Sequence, residues 1–145
     1  MPNRQASVSW HGDPDDGGGR TSLDSSGAAT FEVSLPARLA EEAKNQTDPE
    51  ELIGAALATC FTMNLSLVLD KADYRPESLE TKAVVTLVKN DTGLAITEIA
   101  LSVVGRVHDV DQDTFAALAV EAEQTCPVSK ALAGTSITLD AQLDS

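Results

Sequence analysis

Aromatic residues are scarce in this chain: one Trp, one Tyr and three Phe, 3% of the total. The core must therefore be aliphatic, built from Ala, Val, Leu and Ile. Positive charge is scarce too. Ten Lys and Arg stand against 23 Asp and Glu, a formal net charge of −13. A chain so acidic lacks the basic surface that nucleic-acid phosphates require, and an anionic membrane leaflet would repel it. Two histidines and two cysteines, with no CxxC pair and no Cys/His cluster at zinc-ligand spacing, give no reason to expect a metal or another cofactor. Residues 1–10 contain no apolar run of the kind a secretory signal needs. The longest apolar stretch lies within residues 52–69 and is interrupted by Thr59, Thr62, Asn64 and Ser66, so it reads as a buried helix rather than a membrane span. A cytoplasmic location is the expectation. There, two cysteines serve as thiols or as a catalytic pair more often than as a structural staple.

What is present suits one globular domain over residues 1–145, with 42% hydrophobic residues and enough length to bury a core. Alternation predicts strands at Gln5–Trp10 and Thr30–Leu35. A weaker strand at Thr21–Asp24 lies between an acidic, turn-rich loop at 11–19 and the Ser25-Ser26-Gly27 turn. Residues 36–46 are polar and predict a loop or a short helical turn. A long helix then begins: Asp48 as N-cap, Pro49 at the first helical position and Glu51 completing a capping box. It runs to about Ala72, where Asp73-Tyr74-Arg75-Pro76 stops it. Its apolar residues cover most of the circumference, which requires neighbours on more than one side. In so small a domain a second chain would supply part of that cover.

A hairpin follows, residues 82–89 and 94–107 joined by Asn90-Asp91-Thr92-Gly93. Asp111 caps a second helix whose stripe is Phe115, Leu118, Ala119 and Ala122. Cys126-Pro127 breaks it, and residues 128–133 resume as a short helix ended by Gly134. Ser136–Leu143 is a last strand with Ile137, Leu139, Ala141 and Leu143 facing inward. The order of elements predicts an α+β fold, an antiparallel-rich sheet packed on two main helices.

Residue chemistry separates the two cysteines. Cys60 sits mid-helix, where apolar burial raises a thiol pKa and keeps it inert unless a cation is brought to it. The candidate cations ahead of the long helix are Arg4, Arg20, Arg38 and Lys44, and each is more often a solvated surface charge than a catalytic one. Cys126 sits before Pro127 at the start of a helix, where backbone amides stabilise a thiolate and make it a good leaving group. Both cysteines remain open to the plainer reading of small buried apolar residues. Glu50, in the first turn of the long helix, signals nothing by itself, since an acid there simply suits the helix dipole.

Taken together, Asp48-Pro49-Glu50-Glu51-Leu52-Ile53-Gly54-Ala55-Ala56-Leu57-Ala58-Thr59-Cys60-Phe61-Thr62-Met63 resembles the signature helix of the OsmC/Ohr family, the osmotically inducible protein C and organic hydroperoxide resistance proteins. Cys126-Pro127-Val128-Ser129 resembles that family's second cysteine site. Trp10-His11-Gly12-Asp13 and Ile137-Thr138-Leu139-Asp140 look closest to the OsmC branch.

The resemblance implies an intertwined homodimer and a thiol-dependent peroxidase acting on organic hydroperoxides in oxidative or osmotic stress defence. By the same resemblance Cys60 is the peroxide-reacting cysteine, Cys126 the resolving cysteine, and Glu50 the carboxylate that orients a catalytic arginine. The OsmC pattern points to Arg38 as that arginine; the Ohr pattern would point to Arg20. The N-terminal match favours Arg38. A small dithiol or a lipoyl-protein is the implied reductant. An aliphatic pocket around Phe31, Phe61 and Met63 would suit a greasy hydroperoxide. Two alternatives keep the fold without the chemistry: a binder of a small apolar ligand, and a structural stress protein with an inert Cys60.

Overall fold

The computed structural model describes residues 1–144, which form two compact units, Met1–Leu52 and the remainder from Ile53 onward. In the first unit β1 (Ser7–His11), β2 (Gly18–Ser22) and β3 (Thr30–Val33) make an antiparallel sheet in that order. β2 starts earlier than the sequence predicts, and His11 belongs to a strand rather than a loop. The cause is a close approach. Trp10 pairs with Gly19, and a Cβ at Gly19 would lie 2.7 Å from the Ser9 carbonyl oxygen and 3.0 Å from the indole ring. Glycine lets the two strands meet beneath the tryptophan.

β3 also stops at Val33, short of the predicted Leu35. Ser34 takes an extended backbone and its hydroxyl accepts a hydrogen bond from the Ala37 amide at 3.2 Å. With Pro36 in the first turn, this starts the short helix α1 (Leu35–Leu39) and places Arg38 in its last turn.

Helix α2 (Pro49–Lys71) begins as the sequence predicts, with Asp48 Oδ1 accepting from the Glu51 amide at 2.8 Å. The second half of the expected capping box does not form, because the Glu51 carboxylate accepts from the Thr47 hydroxyl at 2.5 Å instead. At the far end Asp73 takes a left-handed backbone (φ 65°) and the Tyr74 amide returns to the Leu69 carbonyl at 2.9 Å, closing the helix.

The second unit holds a sheet in the order β4-β5-β6: β4 (Pro76–Asn90) antiparallel to β5 (Gly93–Val107), and β6 (Ser136–Leu143) parallel to β5. The chain crosses from β5 to β6 through α3 (Gln112–Thr125) and α4 (Pro127–Ala131). β4 begins six residues before the predicted 82, because its first part alternates with polar residues on the exposed side: Glu77, Ser78 and Glu80 are exposed while Leu79 and Thr81 are half-buried. One face of β5 (Ile99, Leu101, Val103, Val107) forms the core with Leu57, Phe61, Leu65 and Leu69 of α2 and Phe115, Ala119 and Ala122 of α3. α3 presses close on β5 at Gly105, where a Cβ would meet the Phe115 ring at 2.5 Å. By length and composition α2 could cross a membrane, but these four residues are core of the second unit.

Candidate active site

Two polar constellations are built on these elements, one in each unit. In the first, Arg38 from the last turn of α1 grips Glu50 in the first turn of α2. Nε donates to Oε1 at 3.1 Å and to Oε2 at 3.3 Å, and Nη2 donates to Oε1 at 2.8 Å. The Glu50 side chain is only 8% exposed, whereas Arg38 keeps 32% of its side chain in solvent. The grip uses Nε and Nη2 and leaves Nη1 outside it, so the guanidinium can still donate to a further group. Burial works against the Glu50 carboxylate, but the Arg38 hydrogen bonds, a helix-start amide and the arginine's charge outweigh it. Glu50 therefore stays ionised below the ordinary carboxylate value of 4.5. Beside Arg38 lies a cavity of about 500 Å³ with apolar walls from Trp10, Pro14, Val33, Leu35 and Pro49.

In the second unit Cys60 Sγ and Cys126 Sγ lie 3.0 Å apart. Both are free thiols, Cys60 half-buried and Cys126 fully buried. Burial pushes the Cys60 thiol up, and its neighbour Cys126 pushes it further; one amide, Val128, opposes this. Cys126 is buried as well, but contact with Cys60, the Ser129 amide and hydroxyl, and the Val128 amide together bring it down from 9.0. Of the two thiols, Cys126 is thus the one that gives up its proton more readily. This is the contrast that mid-helix burial and a helix-start position predict.

Asn64 holds the two sulfurs in register, and sequence reasoning missed it. Pro127 has no amide to give the end of α3, and the Cys126 amide turns to the Glu123 carbonyl at 3.3 Å. The Ala122 carbonyl is left for another donor. Asn64, one turn beyond Cys60 on α2, donates to that carbonyl at 2.8 Å and to Thr125 Oγ1 at 2.7 Å. The helix carrying Cys60 is thereby tied to the residues just before Cys126. A signal existed, since an amide side chain amid an apolar helix needs a partner, but the sequence could not name the carbonyl.

Other expected residues fall elsewhere. Arg20 pairs with Glu32 at 3.0 Å across β2 and β3, both mostly exposed (66% and 63%). Phe61 is wholly buried in the core, while Met63 is 64% exposed. Phe61 belongs instead to the core on the sheet side of α2. His11 and His108 are exposed, and His108 Nε2 lies 3.2 Å from Glu77 Oε2.

Comparison with known proteins now bears on this geometry. Residues 40–141 match the family model described as OsmC-like protein. Over 143 residues the chain is 41% identical to peroxiredoxin OsmC of Escherichia coli, covering 99% of this chain and 98% of that protein. It is 29% identical over 108 residues to the organic hydroperoxide resistance protein OhrB of Bacillus subtilis, covering 74% and 77% of the two chains. Among solved structures, an OsmC-like protein from Vibrio cholerae superposes with a TM-score of 0.77 at 20% identity, over 97% of this chain and 99% of that one, which speaks for the fold.

Proposed function

Because the chain belongs to the OsmC-like protein family, we propose that it is a thiol peroxidase that reduces organic hydroperoxides to alcohols, with Cys60 reacting first and Cys126 resolving. The observation that carries this reading is the 3.0 Å approach of the two free sulfurs with their opposite pKa displacements. Relatives bearing the names peroxiredoxin and organic hydroperoxide resistance protein support it.

The chemistry runs in three balanced steps. The Cys60 thiolate attacks the terminal peroxide oxygen; the O–O bond breaks, the alkoxide leaves and takes up a proton as the alcohol. Cys60 is then a sulfenic acid. The Cys126 thiolate attacks Cys60 Sγ; the S–O bond breaks, hydroxide leaves and becomes water, and a Cys60–Cys126 disulfide remains. A dithiol, free or carried on a lipoyl-protein, reduces that disulfide by two exchanges and is itself oxidised. Free thiols of this kind are kept ready in a reducing, cytoplasmic compartment.

The first step needs charge on Cys60, where the isolated chain prefers a proton. A guanidinium would move it, because its charge does not titrate away, and Arg38, steadied by Glu50, has a donor to spare. Glu50 and Cys60 are ten positions apart on α2, about 15 Å along the axis and about 280° around it. We therefore assign the arginine to a second copy of the chain: antiparallel α2 helices in an isologous homodimer bring each Arg38–Glu50 pair to the other copy's Cys60. An uncovered stripe on α2 supports this, for Ala55, Ala56, Thr59, Met63, Ser66 and Leu67 are all exposed. The cavity beside Arg38 would then receive the apolar body of the hydroperoxide.

The test is steady-state turnover with a dithiol reductant, comparing cumene hydroperoxide with hydrogen peroxide. Faster turnover of the organic substrate is expected. Equal rates would refute the substrate class, and no turnover of either would refute the enzyme.

A further inference from the structure

Ser129 is buried, 7% exposed, and its hydroxyl oxygen has no hydrogen-bond partner among the described residues. A buried hydroxyl without a partner costs stability, so a role for it is to be sought nearby. It lies three residues after Cys126, which is the N-cap of α4 and whose side chain makes no capping bond to the helix. The N-cap side chain and the third helical residue of a helix face each other, as they do in a capping box. Cys126 itself is wholly buried, between the end of α3 and the start of α4. A thiolate there can draw only on the groups around it, and the Ser129 hydroxyl is one of them.

We propose that Ser129 is a positioning residue for the resolving half of the reaction: its hydroxyl donates to the Cys126 thiolate and holds that sulfur charged and aimed at Cys60. The hydroxyl is left unpaired while Cys126 carries a proton and is satisfied when the thiolate forms. The same bond serves twice. It keeps Cys126 deprotonated for attack on the Cys60 sulfenic acid, and it stabilises Cys126 as the leaving thiolate when a dithiol opens the disulfide. The inference rests on the peroxidase reading for its purpose, but the hydrogen bond itself can be read without any turnover.

The experiment is a pH titration of reduced protein labelled with ¹³Cβ-cysteine, following each cysteine's Cβ shift in the parent, Ser129→Ala, Ser129→Thr and Ser129→Cys. Loss of one hydrogen bond to a charged group predicts that Ser129→Ala lowers the Cys126 thiolate population at neutral pH roughly tenfold. Ser129→Thr restores it, and Ser129→Cys, a weaker donor of similar size, falls between. At a pH low enough to keep Cys126 protonated, Ser129→Ala should also be no less stable to heat than the parent, since an unpaired buried hydroxyl is removed. A merely structural serine would change stability and leave the titration alone. An unchanged Cys126 titration in Ser129→Ala overturns the proposal, whatever the peroxidase assay gives. A shifted titration in protein that forms no disulfide with cumene hydroperoxide upholds the hydrogen bond and removes the peroxidase reading instead.

Discussion

Cys60 Sγ lies 3.0 Å from Cys126 Sγ, across 66 residues of sequence, and the two thiols are displaced in opposite directions from the same ordinary value of 9.0. One sulfur comes from mid-α2, where burial dominates. The other is the N-cap residue of α4, where backbone amides favour its thiolate. Their proximity makes a disulfide possible without rearranging the core, and their asymmetry is what the proposed division into a reacting and a resolving sulfur requires.

The roles separate by substitution. Cys60→Ser should abolish turnover. Cys126→Ser should consume about one equivalent of hydroperoxide and stop at a sulfenic acid on Cys60, open to over-oxidation. Peptide mass spectrometry after trapping locates the oxidised sulfur; a sulfenic acid on Cys126 in the Cys60→Ser protein would reverse the assignment.

The arginines separate in the same way. Arg38→Ala leaves the buried Glu50 without its partner and should cost about 2 kcal/mol in chemical denaturation, between the surface and fully buried limits. It should also slow the first oxidation step at least tenfold, roughly the value of one charge-assisted contact. Arg20→Ala removes an exposed pair and should change stability by less than about 1 kcal/mol and the rate hardly at all. A larger rate loss for the Arg20 variant would move the catalytic cation to the first sheet.

Acid should weaken the Arg38–Glu50 pair. The folded Glu50 pKa lies below its ordinary value of 4.5, so the unfolded chain binds the proton more readily. The pair's stabilisation is fully present above about 4.5 and declines as pH falls through the folded value. Denaturation midpoints measured from pH 6 downward should therefore converge for the parent and Glu50→Gln. Curves that stay parallel would mean that the carboxylate does not hold its charge through Arg38.

Asn64 gives a test of positioning. Asn64→Leu strands the Ala122 carbonyl and frees α2 from the residues before Cys126. Stability should fall by about 1–3 kcal/mol, and disulfide formation should slow more than the initial consumption of peroxide. Stopped-flow traces resolving the two phases would show whether the resolving step is the one affected.

The proposed two-chain site predicts complementation. Inactive Glu50→Ala and Cys60→Ser chains, mixed in equal amounts and allowed to exchange, should form hybrids with one doubly defective and one intact site, and activity should return towards about a quarter of the parent's, because about half of the dimers are hybrids. No recovery with exchange confirmed would confine each site to a single chain.

Local chemistry was what the sequence displayed most clearly. The Asp48-Pro49-Glu50-Glu51 start of α2, the Asp111 cap of α3 and the break at Cys126-Pro127 depend on neighbours within four residues, and all three stand in the structure. The parallel pairing of β6 on β5 was hidden, because it joins segments separated by the whole crossover. Phe61 was misplaced for a related reason: a helix apolar on nearly every side carries no stripe to tell core from pocket. Cys60, Cys126, Glu50 and Arg38 were found through their resemblance to a family pattern, and the pairing of Arg38 with Glu50 is now seen in atomic detail. Asn64 and Ser129 gain their importance from where α3 ends and α4 begins, which no local pattern in the sequence records.

The most direct measurement adds one equivalent of cumene hydroperoxide to fully reduced protein and maps the product by non-reducing peptide mass spectrometry. The account predicts a single species, the Cys60-containing peptide joined to the Cys126-containing peptide within one chain, formed within the mixing time of hand pipetting and reversed by a dithiol. Two intact thiols after the peroxide has been supplied, or a disulfide only between Cys126 residues of different chains, would contradict it.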